Sequence, residues 1–263
     1  HVEMVDLLLE SGADARRRCG SGADALWVAS QCGHARIVRR LLDAGCDPNT
    51  CDSEHGSSAL YMACQNSHLP VIELLVERGA NPMLRTSDGR IALHLACSRG
   101  KGDVVRALCR SPLVDREMPD ELQGFTPLFY AAIEGHAECA RALLESGANP
   151  QTRVLRTGGT PLYVAAQNGH MAVAKLLLEF GANPAVGRLD TGTTPVQVAR
   201  SNSRTEMVAM LQSWKKSHPG KALLAAVESD NVEAVRVVLD AADAAIRAAV
   251  TRQSDEASPL HVA

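Results

Sequence analysis

The chain has 263 residues, a formal net charge of −3 at pH 7 and 22% charged residues. This near-neutral balance gives no electrostatic case for binding nucleic acid or a membrane surface. No uninterrupted apolar run approaches the roughly 20 residues of a transmembrane helix, and no leader with a cleavage site opens the chain. Length alone would suggest one or two globular domains, but an internal repeat overrides that estimate.

Residues 1–14 have the apolar pattern of a single helix that ends at the stop Gly12-Ala13-Asp14. This matches the second half of a unit that recurs further along, so we expect the chain to begin at a fragment boundary. The next segment, Arg16-Arg17-Arg18, could bind a phosphate or an acidic partner. A solvated loop explains three clustered charges more simply, and we favour it.

Residues 20–25 imitate the G-x-G-x-x-A pattern of dinucleotide-binding proteins. That motif needs an apolar strand before it and a βαβ unit around it, whereas three arginines and Cys19 precede it here. The repeat explains the same residues as a hairpin glycine, Gly22, and a helix N-cap, Asp24. We therefore predict no cofactor site at this position.

A unit of two short helices recurs along the chain and is clearest between residues 160 and 184. Thr160 has the side chain of a helix N-cap, and Pro161 fits the first helical position, where the missing N–H is not needed. Gly181 follows a leucine-rich second helix, where a left-handed residue ends a helix. One apolar position marks each copy, at spacings of 34, 33, 35, 34 and 34 residues: Leu26, Leu60, Leu93, Leu128, Leu162 and Val196.

This period and the Thr-Pro-Leu core are typical of ankyrin repeats, and the chain resembles that family over nearly its whole length. The resemblance implies an all-α solenoid of stacked helix-turn-helix units with short hairpin loops. The fourth copy fits least well, because Ile91 replaces the N-cap residue and residues 111–115 replace the glycine stop. We expect a displaced turn there, and not a lost repeat.

The repeat pattern changes near residue 212. We assign residues 1–214 to a main array, half a repeat plus six repeats, and residues 215–220 to a polar linker with a Pro-Gly turn. Residues 221–263 resemble the start of a second, truncated array, because the motif begins again at Ser258 and is cut off at Ala263.

Cysteines fall on small apolar positions of the repeat. Cys64 and Cys97 stand where other copies have alanine, so we interpret them as buried hydrophobic residues. Free thiols favour a reducing compartment, and we expect the cytoplasm. A zinc site would have to collect Cys46, Cys51 and His55, with Cys19 as a possible fourth ligand. Their spacing lacks the paired short motif of such sites, and we predict no metal.

Two other residue types recur once per unit. Histidines stand in the turn between the two helices: His34, His68, His136 and His170. They are too far apart to share one ion, and we expect them to bond to backbone groups. Aromatic residues share a position inside the first helix: Trp27, Tyr61, Phe129 and Tyr163. They could form a ladder for a ligand, but packing between repeats is the interpretation that we favour.

No catalytic motif occurs in the sequence: there is no H-E-x-x-H, no C-x-x-C pair, no G-x-S-x-G and no phosphate loop. We therefore predict that the chain is not an enzyme and that its function is binding. Stacked units leave a continuous concave surface, and the resemblance implies contacts from hairpin tips and first-helix ends. We expect a monomer without cofactors that binds another protein or a peptide.

The fifth copy has apolar residues at positions where solvated ones are expected. Phe125 lies on a hairpin and Ile133 ends a first helix, and an apolar centre with an arginine rim is typical of an interaction hot spot. The predicted partner site comprises Arg90, Arg99, Leu122, Phe125, Ile133, Glu134, Leu155, Arg156, Gln167 and Asn168. The alternative, that Phe125 folds back over its own hairpin, is equally compatible with the sequence.

Two functions are compatible with this sequence. The first is a non-catalytic scaffold that binds a partner protein on its concave face and hairpin tips. The second is a substrate-recruiting or regulatory arm of a larger enzyme, such as a ubiquitin ligase or kinase, whose catalytic domain lies outside this chain. The sequence does not separate them, because both predict the same binding surface.

Overall fold

The computed structural model describes residues 2–217. Thirteen α-helices form the regular structure of this part, whose only β-type pairing is one isolated bridge between Cys51 and Ser58. In chain order the helices are α1 (Val2–Glu10), α2 (Ala25–Gln31), α3 (Ala35–Asp43), α4 (Ala59–Gln65), α5 (Leu69–Glu77), α6 (Ala92–Ser98), α7 (Gly102–Cys109), α8 (Pro127–Glu134), α9 (Ala137–Glu145), α10 (Pro161–Asn168), α11 (Met171–Glu179), α12 (Pro195–Ser201) and α13 (Thr205–Ser217). The predicted all-α class is confirmed.

The helices stack in two layers. The first helix of each unit packs on the first helix of the next, from α2 through α4, α6, α8 and α10 to α12. The second helices pack in the same way from α1 to α11, and the two helices of each unit also contact each other. Each unit therefore contacts mainly its neighbours, which is the repeat solenoid that the sequence predicts.

The first helices begin where the sequence predicts. The Thr160 hydroxyl accepts a hydrogen bond from the Tyr163 N–H at 3.2 Å, and the Asp24 carboxylate accepts one from Trp27 at 2.8 Å. Each bond satisfies a backbone donor that a helix start leaves free. Gly22 has φ +78° in the hairpin before Asp24, so both residues have the repeat roles that we assigned to them.

The fourth copy keeps its two helices, α6 and α7, although its N-cap residue is apolar. Ile91 is fully buried, and its N–H donates to Nδ1 of His94 at 3.2 Å. Helix α7 ends at Cys109, and the turn that follows it through Ser111 contains no left-handed glycine. The expected displaced turn in a retained repeat is confirmed.

Histidines in the turn between the two helices connect two of the units to the preceding ones. Nε2 of His170 lies 2.8 Å from the Ile133 carbonyl oxygen, and His68 makes the same contact with Gln31 at 3.0 Å. A Cβ atom on Gly135, whose φ is +77°, would lie 2.5 Å from the His170 ring, so this turn requires glycine. The predicted backbone-bonding role is confirmed for His68 and His170.

Leucines at the marker position run through the core. Each contributes about 2 kcal/mol of hydrophobic stabilisation when fully buried. Their side chains are at most 1% exposed and belong to one continuous cluster: Leu26, Leu60, Leu93, Leu128 and Leu162. Cys64 and Cys97 lie in the same cluster, as predicted for small apolar residues.

The two ends of the described array differ. Helix α1 has no buried residue, and Met4, Leu7 and Leu8 are exposed. At the other end, α13 continues to Ser217, past the boundary expected at residue 214. Residues 218–220 of the expected linker, and the second array expected at residues 221–263, lie outside the described part. These domain assignments stay predictions.

Candidate protein-interaction surface

A hollow opens on the side of the first helices, between the hairpins that precede α8, α10 and α12. We call it the central hollow, and its volume is about 210 Å³. Its lining consists of Gln123, Phe125, Phe129, Ile133, Val154, Arg156, Thr157, Gly159, Tyr163, Val164, Gln167 and Arg188. Every one of these residues comes from a hairpin or from a first helix.

Aromatic rings form the apolar floor of the central hollow. The Phe125 and Phe129 rings have centroids 4.6 Å apart, and Phe125 meets the Tyr130 ring edge-on at 5.7 Å. Phe125 is half-buried. Phe125 therefore packs on its own helix and also lines the hollow, and its role in binding a partner stays a prediction.

Two arginines stand at the rim. The Arg188 guanidinium lies over the Tyr163 ring, 5.6 Å from its centroid, and its Nε donates to Asp190 at 2.9 Å. Arg156 is exposed, and its side chain has no hydrogen bond or ion pair with any residue from 2 to 217. A free guanidinium beside an apolar floor can bind a carboxylate or a phosphate with two parallel hydrogen bonds.

A buried polar pair holds Tyr130 beneath Phe125. The Tyr130 hydroxyl donates to Oδ2 of Asp120 at 2.6 Å. Burial and the Asp120 carboxylate raise the pKa of Tyr130 to about 12. Burial by itself would raise the pKa of Asp120, but the bonds from Tyr130 and from two backbone N–H groups outweigh it and lower that pKa. The pair therefore stays in one protonation state around neutral pH.

His94 joins this cluster from the fourth copy. Its Nδ1 accepts from the Ile91 N–H, so Nε2 carries the proton and donates to the Met118 carbonyl oxygen at 2.8 Å. The ring meets Tyr130 edge-on at 5.8 Å. Burial lowers the pKa of His94 to about 4. The imidazole is therefore neutral at pH 7 and has both nitrogens engaged, which makes it a structural group.

The central hollow brings together four of the ten predicted site residues: Phe125, Ile133, Arg156 and Gln167. Two others have structural contacts, since Asn168 donates to the Ile133 carbonyl oxygen at 2.9 Å and Arg90 stacks 5.1 Å from the Tyr130 centroid. The remaining four are exposed but do not line the hollow: Arg99, Leu122, Glu134 and Leu155. That any of the ten contacts a partner stays a prediction.

Several residues of the hollow were not predicted from the sequence. Phe129 and Tyr163 were assigned to packing, and the structure shows that they pack and also line the hollow. Arg188 was missed because it belongs to the hairpin of the next copy. The repeat register alone does not show that side chains from three successive hairpins reach one hollow.

A second hollow lies on the same side, between the hairpins that precede α2, α4 and α6. We call it the N-terminal hollow, and its volume is about 540 Å³. Its lining consists of Ser21, Trp27, Gln31, Asp52, Glu54, His55, Ser57, Tyr61, Met62, Gln65, Thr86, Ser87 and Asp88. Trp27 is held in place because its indole N–H donates to the Ser57 carbonyl oxygen at 2.8 Å.

The four candidate zinc ligands do not converge. Cys46 is buried, Cys51 is half-buried and donates to the Asn49 carbonyl oxygen, and Cys19 and His55 are exposed. Within residues 2–217, no group of three or more His, Cys, Asp or Glu side chains could hold a metal ion. In the same part of the chain, no helix combines the length and the apolar character needed to cross a membrane.

Curated relatives are similar over part of this chain. E3 ubiquitin-protein ligase KEG of Arabidopsis thaliana is 33% identical over 75 residues, which is 28% of this chain and 5% of that protein. Probable E3 ubiquitin-protein ligase XBOS32 of Oryza sativa subsp. japonica is 30% identical over 186 residues, which is 60% of this chain and 31% of that protein. The chain thus spans less than a third of the length of either relative.

Solved structures and a family model extend the likeness over most of the chain. The ankyrin repeat domain of Bcl-3, described as a member of the IkappaB protein family, has a TM-score of 0.71 and 25% identity, covering 80% of this chain and 91% of that one. The ankyrin repeat protein EF0377 has a TM-score of 0.65 and 24% identity, covering 72% and 96%. The family model for ankyrin repeats matches this chain three times, at residues 1–86, 79–154 and 149–219. The chain belongs to the ankyrin repeat family.

Proposed function

We propose that this protein is a non-catalytic interaction module that binds a partner protein at the central hollow. Ankyrin repeats generally mediate protein–protein interaction. The observation that carries the proposal for this surface is the apolar aromatic floor, open to solvent, beside the unpaired Arg156. Aromatic residues and arginine are enriched at the sites that contribute most binding energy between proteins.

The size of the hollow supports a protein side chain as its occupant. At about 210 Å³ it is smaller than the roughly 300–1,000 Å³ typical of pockets that bury a whole small molecule. One or two side chains of a partner fill such a volume. The rest of the contact would extend over the neighbouring hairpins, where Leu122 and Leu155 are exposed by 62% and 86%.

The chemistry of the titratable groups supports a function without catalysis. His94, Asp120 and Tyr130 lie near the hollow and have shifted pKa values, and each is buried with its polar atoms engaged. A general acid or base has to reach a proton of the substrate, and these side chains lie below the floor. We also propose that the protein is a monomer. For its location we propose the cytoplasm, because all eight cysteines are free thiols, as in a reducing compartment.

The test compares proteins retained from a native lysate by the wild type and by two variants. Phe125→Ser/Ile133→Ser removes the apolar centre, and Arg156→Glu with Gln167→Ala alters the rim without touching the core. We expect both to lose the proteins that the wild type retains, with a loss of about tenfold or more for the first. Leu113→Ser is the matched control, since Leu113 is 61% exposed and does not line the hollow.

Thermal unfolding of each variant separates lost contact from lost folding, because Phe125 also packs on Phe129. Retention of the same proteins by both variants, with folding intact, would overturn the proposal. Loss by the control as well would show that the binding surface lies elsewhere.

A second candidate function is the substrate-recruiting arm of a ubiquitin ligase. It is favoured by the two relatives named as E3 ubiquitin-protein ligases, of which this chain matches 5% and 31% of the length. The test is a ubiquitylation assay with the full-length protein purified from its own cells. Ubiquitin transfer to proteins retained at the central hollow supports this role, and absence of transfer rejects it while leaving the interaction module intact.

A further inference from the structure

The central and N-terminal hollows are formed by the same repeat positions, three copies apart. Phe129 and Tyr163 line the central hollow, and Trp27 and Tyr61, 102 positions earlier, line the N-terminal one. The same offset relates Ile133 to Gln31 and Gln167 to Gln65. The fold therefore supplies one kind of hollow twice along the same side of the array, and only the side chains differ.

The two hollows carry opposite charge. Glu54 occupies, in the N-terminal hollow, the hairpin position that Arg156 occupies in the central hollow. Aspartate or glutamate is absent from the lining of the central hollow, and arginine or lysine is absent from that of the N-terminal one. A segment that contacts both hollows therefore meets an electrostatic field that changes sign along its length.

Asp52 fixes negative charge in the N-terminal hollow. It stands where the central hollow has Val154, and it is 7% exposed. Burial alone would raise its pKa, but its carboxylate accepts hydrogen bonds from the N–H groups of Glu54, His55 and Ser57, which together lower that pKa. Asp52 stays ionised at neutral pH.

Pairing within the described array leaves one exposed charge in each hollow without an arginine, lysine or carboxylate partner. Asp88 lies 3.5 Å from Nε of Arg90, and Arg188 is bonded to Asp190. The Glu54 side chain is 73% exposed, and its Oε1 lies 3.9 Å from Nε2 of His55. Among residues 2–217, no lysine or arginine forms an ion pair with it. Glu54 and Arg156 are therefore the exposed charges of the two hollows that no oppositely charged arginine, lysine or carboxylate of the described residues pairs with.

The separation of the hollows sets the length of the partner segment. Neighbouring helices pack about 10 Å apart, so three copies span roughly 30 Å. An extended chain advances about 3.3 Å per residue, so about nine residues cover that distance. A polyanion such as a nucleic acid or an acidic membrane surface does not fit, because its uniform charge would be repelled at Glu54 and Asp52.

We propose that the partner contacts both hollows through one extended protein segment, with a lysine or arginine over Trp27 and Tyr61 and an aspartate or glutamate next to Arg156, about nine residues away. This proposal rests on the proposed function and adds the polarity of the bound segment. In the N-terminal hollow the cation would face two aromatic rings and Glu54, a combination that favours a positive charge.

The test uses a phage library of random peptides of about 16 residues, long enough for the estimated span. Selection against the wild type is followed by counter-selection against Phe125→Ser/Ile133→Ser. We expect the retained peptides to contain a basic and an acidic residue about nine positions apart, in one constant order. A representative peptide and a second one with the two charged residues exchanged are then synthesised.

A charge swap measures the polarity directly. Glu54→Arg combined with Arg156→Glu should reverse the preference between the two peptides, by about tenfold in Kd, since both contacts change from attraction to repulsion. The matched control is Arg141→Glu combined with Glu145→Arg on α9, where both side chains are exposed and belong to neither hollow. This control should keep the original preference.

The outcomes separate this proposal from the proposed function. If the charge swap reverses the preference between the two peptides and the control does not, the proposed order of charges in the bound segment is supported. Peptides that depend on Phe125 and Ile133 but show no charge order, or an order that the swap leaves unchanged, overturn the polarity and leave the proposed function standing. Failure of the wild type to retain any peptide better than Phe125→Ser/Ile133→Ser overturns both.

Discussion

The fourth and sixth copies begin their first helices with different chemistry. In the sixth copy, the Thr160 hydroxyl accepts the Tyr163 N–H at 3.2 Å, a contact within one turn of the chain. In the fourth copy, Ile91 is buried and has no polar side chain, and His94 accepts the Ile91 N–H. The same imidazole also donates to Met118, in the hairpin of the next copy.

This difference shows that a repeat position can be filled by a local or by a tertiary interaction. The Thr160 cap is a hydrogen bond within the first turn of its own helix. The His94 cap joins the start of α6 to the fifth copy, where Tyr130 packs under Phe125 in the floor of the central hollow. We therefore expect changes at His94 to affect two units and changes at Thr160 to affect one.

The largest effect expected is that of His94→Ala. The substitution removes a ring that is 0% exposed and leaves the Ile91 N–H and the Met118 carbonyl oxygen without their partner. We expect the free energy of unfolding to fall by about 3 kcal/mol, from the cavity and the unpaired backbone groups. Urea unfolding followed by circular dichroism measures it. A loss no larger than that of Thr160→Ala would contradict the comparison.

The pH dependence of stability should come next in size. The pKa of His94 is about 4 in the folded state, against 6.5 for an exposed histidine, so the unfolded chain binds more protons between these values. Stability therefore falls as pH falls through this window, by about 2 kcal/mol from about pH 7 to about pH 5. Urea unfolding at a series of pH values measures the slope.

His94→Gln is the control for that slope. In the seventh copy, Gln197 at the same position accepts the Thr194 N–H at 2.8 Å, so a glutamine can keep the helix start without titrating. The variant should lose most of the pH dependence. An unchanged slope would assign the dependence to other groups.

Removing the hydroxyl of Tyr130 tests the link between the fourth and fifth copies. Tyr130→Phe leaves Oδ2 of Asp120 without its 2.6 Å donor, and we expect a loss of about 1.5 kcal/mol, since hydrogen bonds to charged groups are worth more than neutral ones. Differential scanning calorimetry compares it with Tyr163→Phe, which should cost no more than about 0.5 kcal/mol. Equal losses in the two variants would argue against a special role for the fourth and fifth copies.

The smallest effect expected is that of the local cap. Thr160→Ala should cost about 1 kcal/mol, the usual value for a lost N-cap, and Thr160→Ser should restore nearly all of it. Both are measured by urea unfolding beside the wild type. A cost for Thr160→Ala that matches that of His94→Ala would show that the sixth copy depends on its neighbours as strongly as the fourth.

Much of the candidate site was accessible from the sequence through the repeat register. Phe125 and Ile133 stood out because they are apolar at positions that other copies fill with small or polar residues, and both line the central hollow. Arg188 and Gln123 were missed, because a hollow between three hairpins is closed by residues that lie up to two units apart in the chain. Register identifies equivalent positions, but it does not show which of them meet in space.

The N-terminal hollow was also missed, for a different reason. Trp27 and Tyr61 share a recurring aromatic position that the sequence reveals, and packing between repeats buries only part of each side chain. Glu54 was given no role, because a single exposed carboxylate on a hairpin is ordinary in sequence. It becomes informative only when the structure places it at the position that Arg156 occupies three copies later.

The sequence by itself determined the class, the period and the ends of most helices, because these depend on local chemistry. Threonine caps, proline at the first helical position, glycine in the turns and a leucine every 33 to 35 residues each act within one unit or on its neighbour. Only the tertiary structure decided how Ile91 is capped, why His94 stays neutral and which side chains enclose the two hollows. Those features depend on atoms that stacking brings together from different units, and the distance between them in space is not encoded by any one segment.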